Sequence, residues 1–169
     1  MDYLPIFIDL KNRHCLVVGG GEIAARKAAL LLKAQATVTI IAPKIAEMSR
    51  QLLDDANFQG RVQWINDSFS PDYLDEQTLV IAATDNEAVN LEVYQAAKAK
   101  KILANVADQP EMCDFILPSV LDRSPIVVAI SSGGQSPILA RQLRARLETL
   151  IPPAYSKLGL LVGEYRERV

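Results

Sequence analysis

The sequence feature that most constrains the fold is a regular alternation of short apolar runs with longer amphipathic stretches. Runs rich in β-branched residues occupy positions 14–18, 37–41, 62–65, 79–83 and 102–106. Between them, apolar residues recur at helical spacing over 22–34, 86–100 and, more weakly, 44–56. Strands that read as continuous apolar runs and are separated by helices indicate a parallel sheet covered on both faces. The sequence therefore predicts an α/β fold with a doubly wound parallel sheet.

Composition narrows the class of protein further. Half of the 169 residues are hydrophobic and 22% are charged, which is typical of a globular chain and argues against disorder. The net charge of −2 argues against a nucleic-acid partner. No apolar run approaches the ~18 residues needed to span a membrane. Two cysteines without CxxC spacing and a single histidine predict no metal site, and we expect a cytoplasmic protein with reduced thiols.

The alternation stops after Pro110. Two strand-like runs, 115–118 and 126–130, are joined by a turn at 122–125, and a helix opens at Ser136-Pro137. Two strands without a helix between them cannot bury both faces, so a second copy of the chain is the simplest cover. We therefore predict a doubly wound α/β domain at 1–112, a small α+β dimerisation segment at 113–150 and a short C-terminal helical segment at 151–169.

A glycine-rich turn follows the first strand-like run. Gly19-Gly20-Gly21-Glu22-Ile23-Ala24 fits the GxGxxG/A pattern between a strand and a helix. Gly19 permits the tight turn, Gly21 leaves room for a pyrophosphate, and Ala24 lets the helix pack closely. The first helical turn, with Glu22 and Ile23, offers free N–H groups to the phosphates. The motif predicts a Rossmann-type dinucleotide-binding domain, with a glycine turn that binds no ligand as the alternative.

One element of this fingerprint is missing. An acidic residue normally ends the second strand and binds the adenine ribose. Here the strand ends Ile41-Ala42-Pro43-Lys44, without a carboxylate. Either backbone groups around Pro43 hold the ribose or Lys44 attracts a 2′-phosphate, so these residues leave both NAD and NADP open.

Several motifs in order carry a more specific resemblance. They are Leu4-Pro5-Ile6-Phe7, the glycine turn with Ala25-Arg26-Lys27, Ala82-Ala83-Thr84-Asp85, Asn105-Val106-Ala107-Asp108, Phe115-Ile116-Leu117-Pro118-Ser119 and the run 131–137. Together they resemble the precorrin-2 dehydrogenase/sirohydrochlorin ferrochelatase module of the siroheme synthase family. The resemblance extends over essentially the whole chain.

The resemblance implies NAD-dependent oxidation of precorrin-2 to sirohydrochlorin, followed by insertion of Fe²⁺ as a substrate. It also implies a homodimer in which the part after the Rossmann domain completes the active site. Two alternatives stay open: a dehydrogenase without chelatase activity, and a non-enzymatic Rossmann domain that senses NAD. The chain is either a standalone enzyme or a module excised from a fusion with a methyltransferase.

The same resemblance points to site residues in the first domain. Asp108 matches the family's Asn-Val-x-Asp motif, whose aspartate is the proposed general base and is also implicated in chelation. From its position alone, Asp108 would more simply cap a loop. The segment Thr84-Asp85-Asn86 lines the cofactor pocket in the family, although its simplest role is to cap the following helix. Asn105 is expected to bind substrate.

A second group of candidates follows the last strand-like run. Ser132 and Gly133 lie in a polar turn before a helix, where free N–H groups suit the carboxylates of a tetrapyrrole. Arg141 and Arg144 share one face of that helix, which is either solvated or docks substrate carboxylates or a second copy. No protein metal cage is predicted, so the macrocycle nitrogens would supply most ligands for iron.

Overall fold

The computed structural model describes residues 2–166. The chain splits into two compact units, of which the first comprises Leu4–Phe115. The second contains the described residues that follow Phe115, together with those that precede Leu4. Within the described residues, no helix is long and apolar enough to cross a membrane.

The first unit is built on a five-stranded parallel sheet in the order β3-β2-β1-β4-β5. The strands are β1 (His14–Val18), β2 (Thr37–Ile41), β3 (Val62–Ile65), β4 (Leu79–Ala82) and β5 (Leu103–Val106). The helices are α1 (Glu22–Lys33), α2 (Glu47–Asp54) and α3 (Glu87–Lys100), with short 3-10 helices at Ala56–Phe58, Pro71–Leu74 and Pro110–Met112. The doubly wound Rossmann-type sheet predicted from the sequence is confirmed.

The strand order places a topological switch point beside the glycine turn. The chain winds outward from β1 through β2 to β3, and then returns to pair β4 with the other side of β1. Ligands of open α/β sheets bind at the carboxyl edge where the winding reverses. The turn after β1 lies at that point.

Burial on both faces explains why the central strands are apolar throughout. On one face, Val80, Ala82, Ala104 and Val106 pack with other buried residues, including Val93 of α3. Residues on the opposite face of β4, such as Ile81, are equally buried. The sheet is thereby held rigidly, and the loops at its carboxyl edge are fixed in position.

The second unit contains an antiparallel hairpin of β6 (Ser119–Arg123) and β7 (Ile126–Ile130), followed by α4 (Pro137–Leu150) and α5 (Ala154–Arg166). The prediction of a strand at 115–118 is wrong. The register pairs Arg123 with Ile126 across a two-residue turn, so the first strand of the hairpin starts at Ser119. Pro118 has no N–H to donate to a ladder, which is consistent with a strand that begins just after it.

Helix α4 begins as the sequence predicts. The Ser136 hydroxyl accepts a 3.3 Å hydrogen bond from the Leu139 N–H, and Pro137 is the first helical residue. The helix ends at Leu150, before the Pro152-Pro153 pair. Side chains that are apolar and exposed are frequent on α4 and α5, among them Ile138, Leu150, Leu160 and Val162.

Candidate nucleotide and substrate site

The glycine turn is shaped by two close backbone approaches. Gly19 has a φ of 124°, and a Cβ there would lie 2.3 Å from the Ala83 carbonyl oxygen at the end of β4. A Cβ on Gly20 would lie 2.0 Å from the Lys44 carbonyl oxygen. The Gly20 carbonyl in turn accepts a 2.7 Å hydrogen bond from the Ala46 N–H. The turn after β1 therefore packs directly against the loops after β4 and β2.

Gly21 differs from its two neighbours because it faces open space. A Cβ built on it would meet nothing within 4 Å. It is the N-cap of α1 and provides no side-chain hydrogen bond to the first helical turn. The N–H groups of that turn therefore remain available for an anion. This unobstructed cradle at a helix N-terminus fits the pyrophosphate of a dinucleotide.

The first turn of α1 surrounds this cradle with exposed side chains. Glu22 is at its start, and its carboxylate accepts a 3.0 Å hydrogen bond from Arg26 one turn later. Ile23 is exposed beside it, whereas Ala24 is fully buried. The small Ala24 side chain is what close packing of the helix requires.

The loop after β2 has no carboxylate at the ribose position. Pro43 and Lys44 are both exposed there, and the ammonium of Lys44 has no hydrogen bond or ion pair among the described residues. The path of the chain is fixed from β3, where the Trp64 indole N–H donates a 2.9 Å hydrogen bond to the Ala42 carbonyl. Lys44 is thus the first charged residue of the chain after β2.

The loop after β4 is fixed by Asn90, a buried residue of α3. Its amide oxygen accepts a 2.7 Å hydrogen bond from the Thr84 hydroxyl, and its amide nitrogen donates a 3.0 Å bond to the Thr84 carbonyl. The helix cap is formed by Asn86, whose side chain accepts from the Ala88 and Val89 N–H groups. Thr84 is therefore fixed against α3 and does not cap it, and Asp85 is exposed in the same turn.

Asp108 stands just beyond the carboxyl end of β5. It is exposed and has a φ of 60°, in the left-handed region that aspartate tolerates better than most residues. Its carboxylate makes no hydrogen bond or ion pair within the described chain, so the loop-capping bond that its position favours is not formed there. An unpaired carboxylate in a strained backbone position is typical of a functional site.

Asn105 connects β5 to its surroundings. It is 5% exposed, and its amide nitrogen donates a 2.8 Å hydrogen bond to the Phe115 carbonyl. The same nitrogen contacts the Cys113 sulfur at 3.4 Å, and the amide oxygen accepts a 3.0 Å bond from Lys27 of α1. Asn105 thus holds together the segment that follows Asp108.

The candidates of the second unit lie in the turn before α4. The Ser132 hydroxyl accepts a 2.8 Å hydrogen bond from the Ser136 N–H, and Gly133 has a φ of 64°. Arg141 is exposed on α4, whereas Arg144 is paired with Glu148 at 2.5 Å. Their contact with substrate stays a prediction.

The residues predicted for the first domain come together at one edge of the sheet. Asn105 lies on β5, and the others follow the carboxyl ends of β1, β2, β4 or β5: Gly19, Gly21, Glu22, Ile23, Pro43, Lys44, Thr84, Asp85 and Asp108.

Sequence reasoning missed Gly20, Lys27 and Asn90. The run of three glycines was a signal for Gly20, and Lys27 belongs to the Ala25-Arg26-Lys27 motif, to which no role was assigned. Nothing local marks Asn90. Within residues 2–166, no group of three or more His, Cys, Asp or Glu side chains is arranged to hold a metal.

Comparison with known proteins agrees with this geometry. A family model described as "Putative NAD(P)-binding" matches residues 6–119, and a second, "Sirohaem biosynthesis protein central", matches residues 123–150. The solved structure of "SirC, precorrin-2 dehydrogenase" superposes with a TM-score of 0.82 at 26% identity, covering 97% of this chain and 79% of that one.

Curated relatives named siroheme synthase match along the whole chain. Those of Nitrosospira multiformis, Nitrosococcus oceani and Thiobacillus denitrificans are 50%, 53% and 54% identical over 169 residues. The chain spans about a third of the length of these relatives (36%, 35% and 34%). The resemblance found in the sequence motifs is thereby confirmed. This chain belongs to the siroheme synthase family and contains its NAD(P)-binding domain.

Proposed function

We propose that this chain oxidises precorrin-2 to sirohydrochlorin with NAD as the oxidant. The observation that carries the proposal is the unpaired Asp108 carboxylate at the same sheet edge as the open Gly21 cradle. The oxidation removes a hydride and a proton from the substrate, so it needs a bound cofactor and a proton acceptor. When bound, the nicotinamide of NAD accepts the hydride.

The residues of the chain bind the nucleotide, accept the proton and bind the substrate. The α1 N-terminus and Gly21 would hold the pyrophosphate, and the loops ending at Lys44 and Thr84 would flank the nucleotide. Asp108 accepts the proton, since its oxygens make no competing hydrogen bond within the described chain. Ser132, Gly133 and Arg141 would bind substrate carboxylates from the second unit.

We further propose that insertion of Fe²⁺ into sirohydrochlorin follows at the same site. The macrocycle nitrogens would supply most of the ligands. Asp108 would accept the pyrrole protons that iron displaces. The test is to supply sirohydrochlorin and Fe²⁺ and to measure sirohaem formation. A dehydrogenase without chelatase activity would form none.

The choice of NAD over NADP rests on the family resemblance. The exposed Lys44 is the one feature at the end of β2 that would favour a 2′-phosphate. Calorimetric titration with NAD and NADP in parallel decides between them, and tighter binding of NADP would contradict our assignment.

We also propose that the protein is a cytoplasmic homodimer. The exposed apolar side chains of α4 and α5 support a second copy as their cover. Both cysteines are free thiols, which is consistent with a reducing compartment.

The experiment that tests the proposed function compares wild type with Asp108→Asn. Asparagine adopts the left-handed backbone as readily as aspartate, so the loop should keep its path. Loss of a general base typically lowers the rate by ~10²–10⁴. We expect a single-turnover oxidation of precorrin-2 slowed to that extent, with NAD affinity and melting temperature unchanged. A variant within about threefold of wild type would remove Asp108 from the mechanism.

A further inference from the structure

A cysteine that the proposed mechanism does not use contacts the turn that holds Asp108. This turn runs from Val106 to Gln109, and a 3.4 Å hydrogen bond from the Gln109 N–H to the Val106 carbonyl closes it. The Cys113 sulfur lies 3.2 Å from the Val106 carbonyl oxygen and 3.3 Å from that of Gln109. The Gln109 oxygen also accepts a 3.0 Å bond from the Met112 N–H. Both ends of the turn therefore contact the same thiol.

The Cys113 thiol is a hydrogen-bond donor in this position. Burial raises the pKa of Cys113, so the group is protonated at neutral pH. A thiol is a weak donor and a carbonyl oxygen can only accept, so the S–H serves the Val106 and Gln109 oxygens. On its other side, the sulfur accepts a 3.4 Å hydrogen bond from the amide nitrogen of Asn105.

The backbone that carries this sulfur is anchored on β5. The Asp114 N–H donates a 2.8 Å hydrogen bond to the Ala104 carbonyl, and the Asp114 carboxylate accepts a 3.0 Å bond from the Ala104 N–H. The same carboxylate pairs with Lys98 of α3 at 2.8 Å. An antiparallel bridge joins Cys113 itself to Asn105. The thiol is thus a fixed point beside the strand from which the turn emerges.

Asp108 depends on the backbone of this turn for its position. Its carboxylate makes no hydrogen bond or ion pair within the described residues, and a φ of 60° is unfavourable for a residue with a side chain. Before Asp108, the Ala107 N–H donates a 2.8 Å bond to the Ala82 carbonyl at the end of β4. After it, the closing bond of Gln109 is longer, at 3.4 Å. The thiol supports this weaker side of the turn.

We propose that Cys113 is a positioning residue of the dehydrogenase: its thiol, anchored beside β5, holds the 106–109 turn so that Asp108 stays in place as the proton acceptor. The inference rests on the proposed function, since it assigns Cys113 a part in that reaction. A displacement of about 1 Å can lower an enzymatic rate about 10²-fold. A contact that fixes the backbone on both sides of the base therefore affects the rate without touching the substrate.

The hold on the turn can be measured without any turnover. In Cys113→Ala the donor is lost, so the Gln109 N–H should exchange with solvent about fivefold faster by NMR, the factor that one ordinary hydrogen bond supplies. The Ala107 N–H is the internal control, because it is bonded to Ala82 of β4 and should keep its exchange rate. Cys113→Ser retains a donor and should retain most of the protection of Gln109.

The role in the reaction is tested by single-turnover and steady-state oxidation of precorrin-2. In Cys113→Ala the rate at saturating substrate should fall roughly 10- to 100-fold. KM and NAD affinity should stay as in wild type, because the thiol contacts neither the nucleotide cradle nor the substrate carboxylate sites. Cys113→Ser should restore most of the rate, since its hydroxyl donates to the same carbonyls. Cys113→Val fills the place of the sulfur without a donor and should be slow like Cys113→Ala.

The matched control removes the other thiol of the same unit. Cys15 is fully buried in β1 and is paired with Leu79, the first residue of β4, at the amino edge of the sheet. Cys15→Ala makes the same chemical change and leaves a small cavity, so its melting temperature should fall. Its rate of oxidation and its Gln109 exchange should equal those of wild type, because the turn at the carboxyl edge is untouched.

The outcomes separate a positioning role from a purely structural one. Unchanged Gln109 exchange in Cys113→Ala overturns the proposal, and so does a wild-type rate in either variant without a donor. An equal loss of rate in Cys113→Ser overturns it as well, because the donor would then be irrelevant. A similar loss in Cys15→Ala would show that reduced stability alone slows the reaction, which also overturns it. If the wild-type chain does not oxidise precorrin-2, the proposed function fails and the role of Cys113 in that reaction fails with it.

Discussion

At the scale of single residues, two neighbouring glycines of the turn after β1 lack a side chain for different reasons. Gly20 is required by the fold, because the Lys44 carbonyl occupies the space of a Cβ. Gly21 is not required by the fold, because its φ of −77° suits any residue and the space beside it is open. Its lack of a side chain is therefore best explained by a ligand that approaches the backbone.

Substitution of Gly21 by aspartate should separate binding from folding. The carboxylate would lie where the pyrophosphate belongs and would repel it, while aspartate at an N-cap stabilises a helix. We expect a melting temperature equal to or slightly above that of wild type, together with loss of NAD binding in calorimetry. Normal NAD affinity in this variant would contradict the placement of the cofactor.

Gly20→Ala is the complementary variant. Its Cβ overlaps a backbone atom that cannot move without shifting the loop after β2, and such overpacking costs about 1–3 kcal/mol. Urea denaturation should show that loss in the free energy of unfolding, whereas Gly21→Ala should be close to wild type. Equal stabilities of the two variants would show that the turn adapts to either side chain.

At the scale of elements, the strands of the parallel sheet could be predicted from the sequence, whereas side-chain contacts between distant elements could not. Apolar runs and the glycine motif were enough for the parallel sheet, because burial on both faces leaves a clear pattern. The hairpin strand was misplaced, since the apolar residues before Pro118 resemble a strand although the ladder starts at Ser119. The contacts of Lys27 with Asn105 cannot be read from local pattern, because they join distant parts of the chain.

The link between α3 and the loop after β4 gives a prediction at this scale. Asn90 is 4% exposed, and three hydrogen bonds connect it to Thr84. Asn90→Ala leaves the N–H and the carbonyl of Thr84 without these partners, whereas the hydroxyl keeps its bonds to Asn86. The loss costs about 1–3 kcal/mol of unfolding free energy. Because the Thr84 loop contacts the glycine turn, NAD affinity measured by calorimetry should also fall. Unchanged affinity in the folded variant would confine Asn90 to a structural role.

At the scale of the whole molecule, the second unit exposes more apolar surface than a small unit can leave in water. Its exposed apolar side chains lie mainly on the two helices that follow the hairpin: Ile138, Leu139, Leu143, Leu150, Leu158, Leu160, Leu161 and Val162. Exposed apolar side chains in such number support our proposal of an interface on these helices. The composition of the chain gave no sign of it, because apolar residues are found in the core and in interfaces alike.

A second copy of the chain should cover this surface. Light scattering at micromolar concentration is expected to give twice the 18.6 kDa mass of the chain. The double variant Ile138→Asp/Leu160→Asp places charges on side chains that are 63% and 60% exposed, so it should spare the fold and shift the protein to monomers. Leu91→Asp makes the same change at a 44% exposed position of α3 in the first unit and should remain dimeric. A wild-type monomer that still oxidised precorrin-2 would show that the second copy is dispensable for the site.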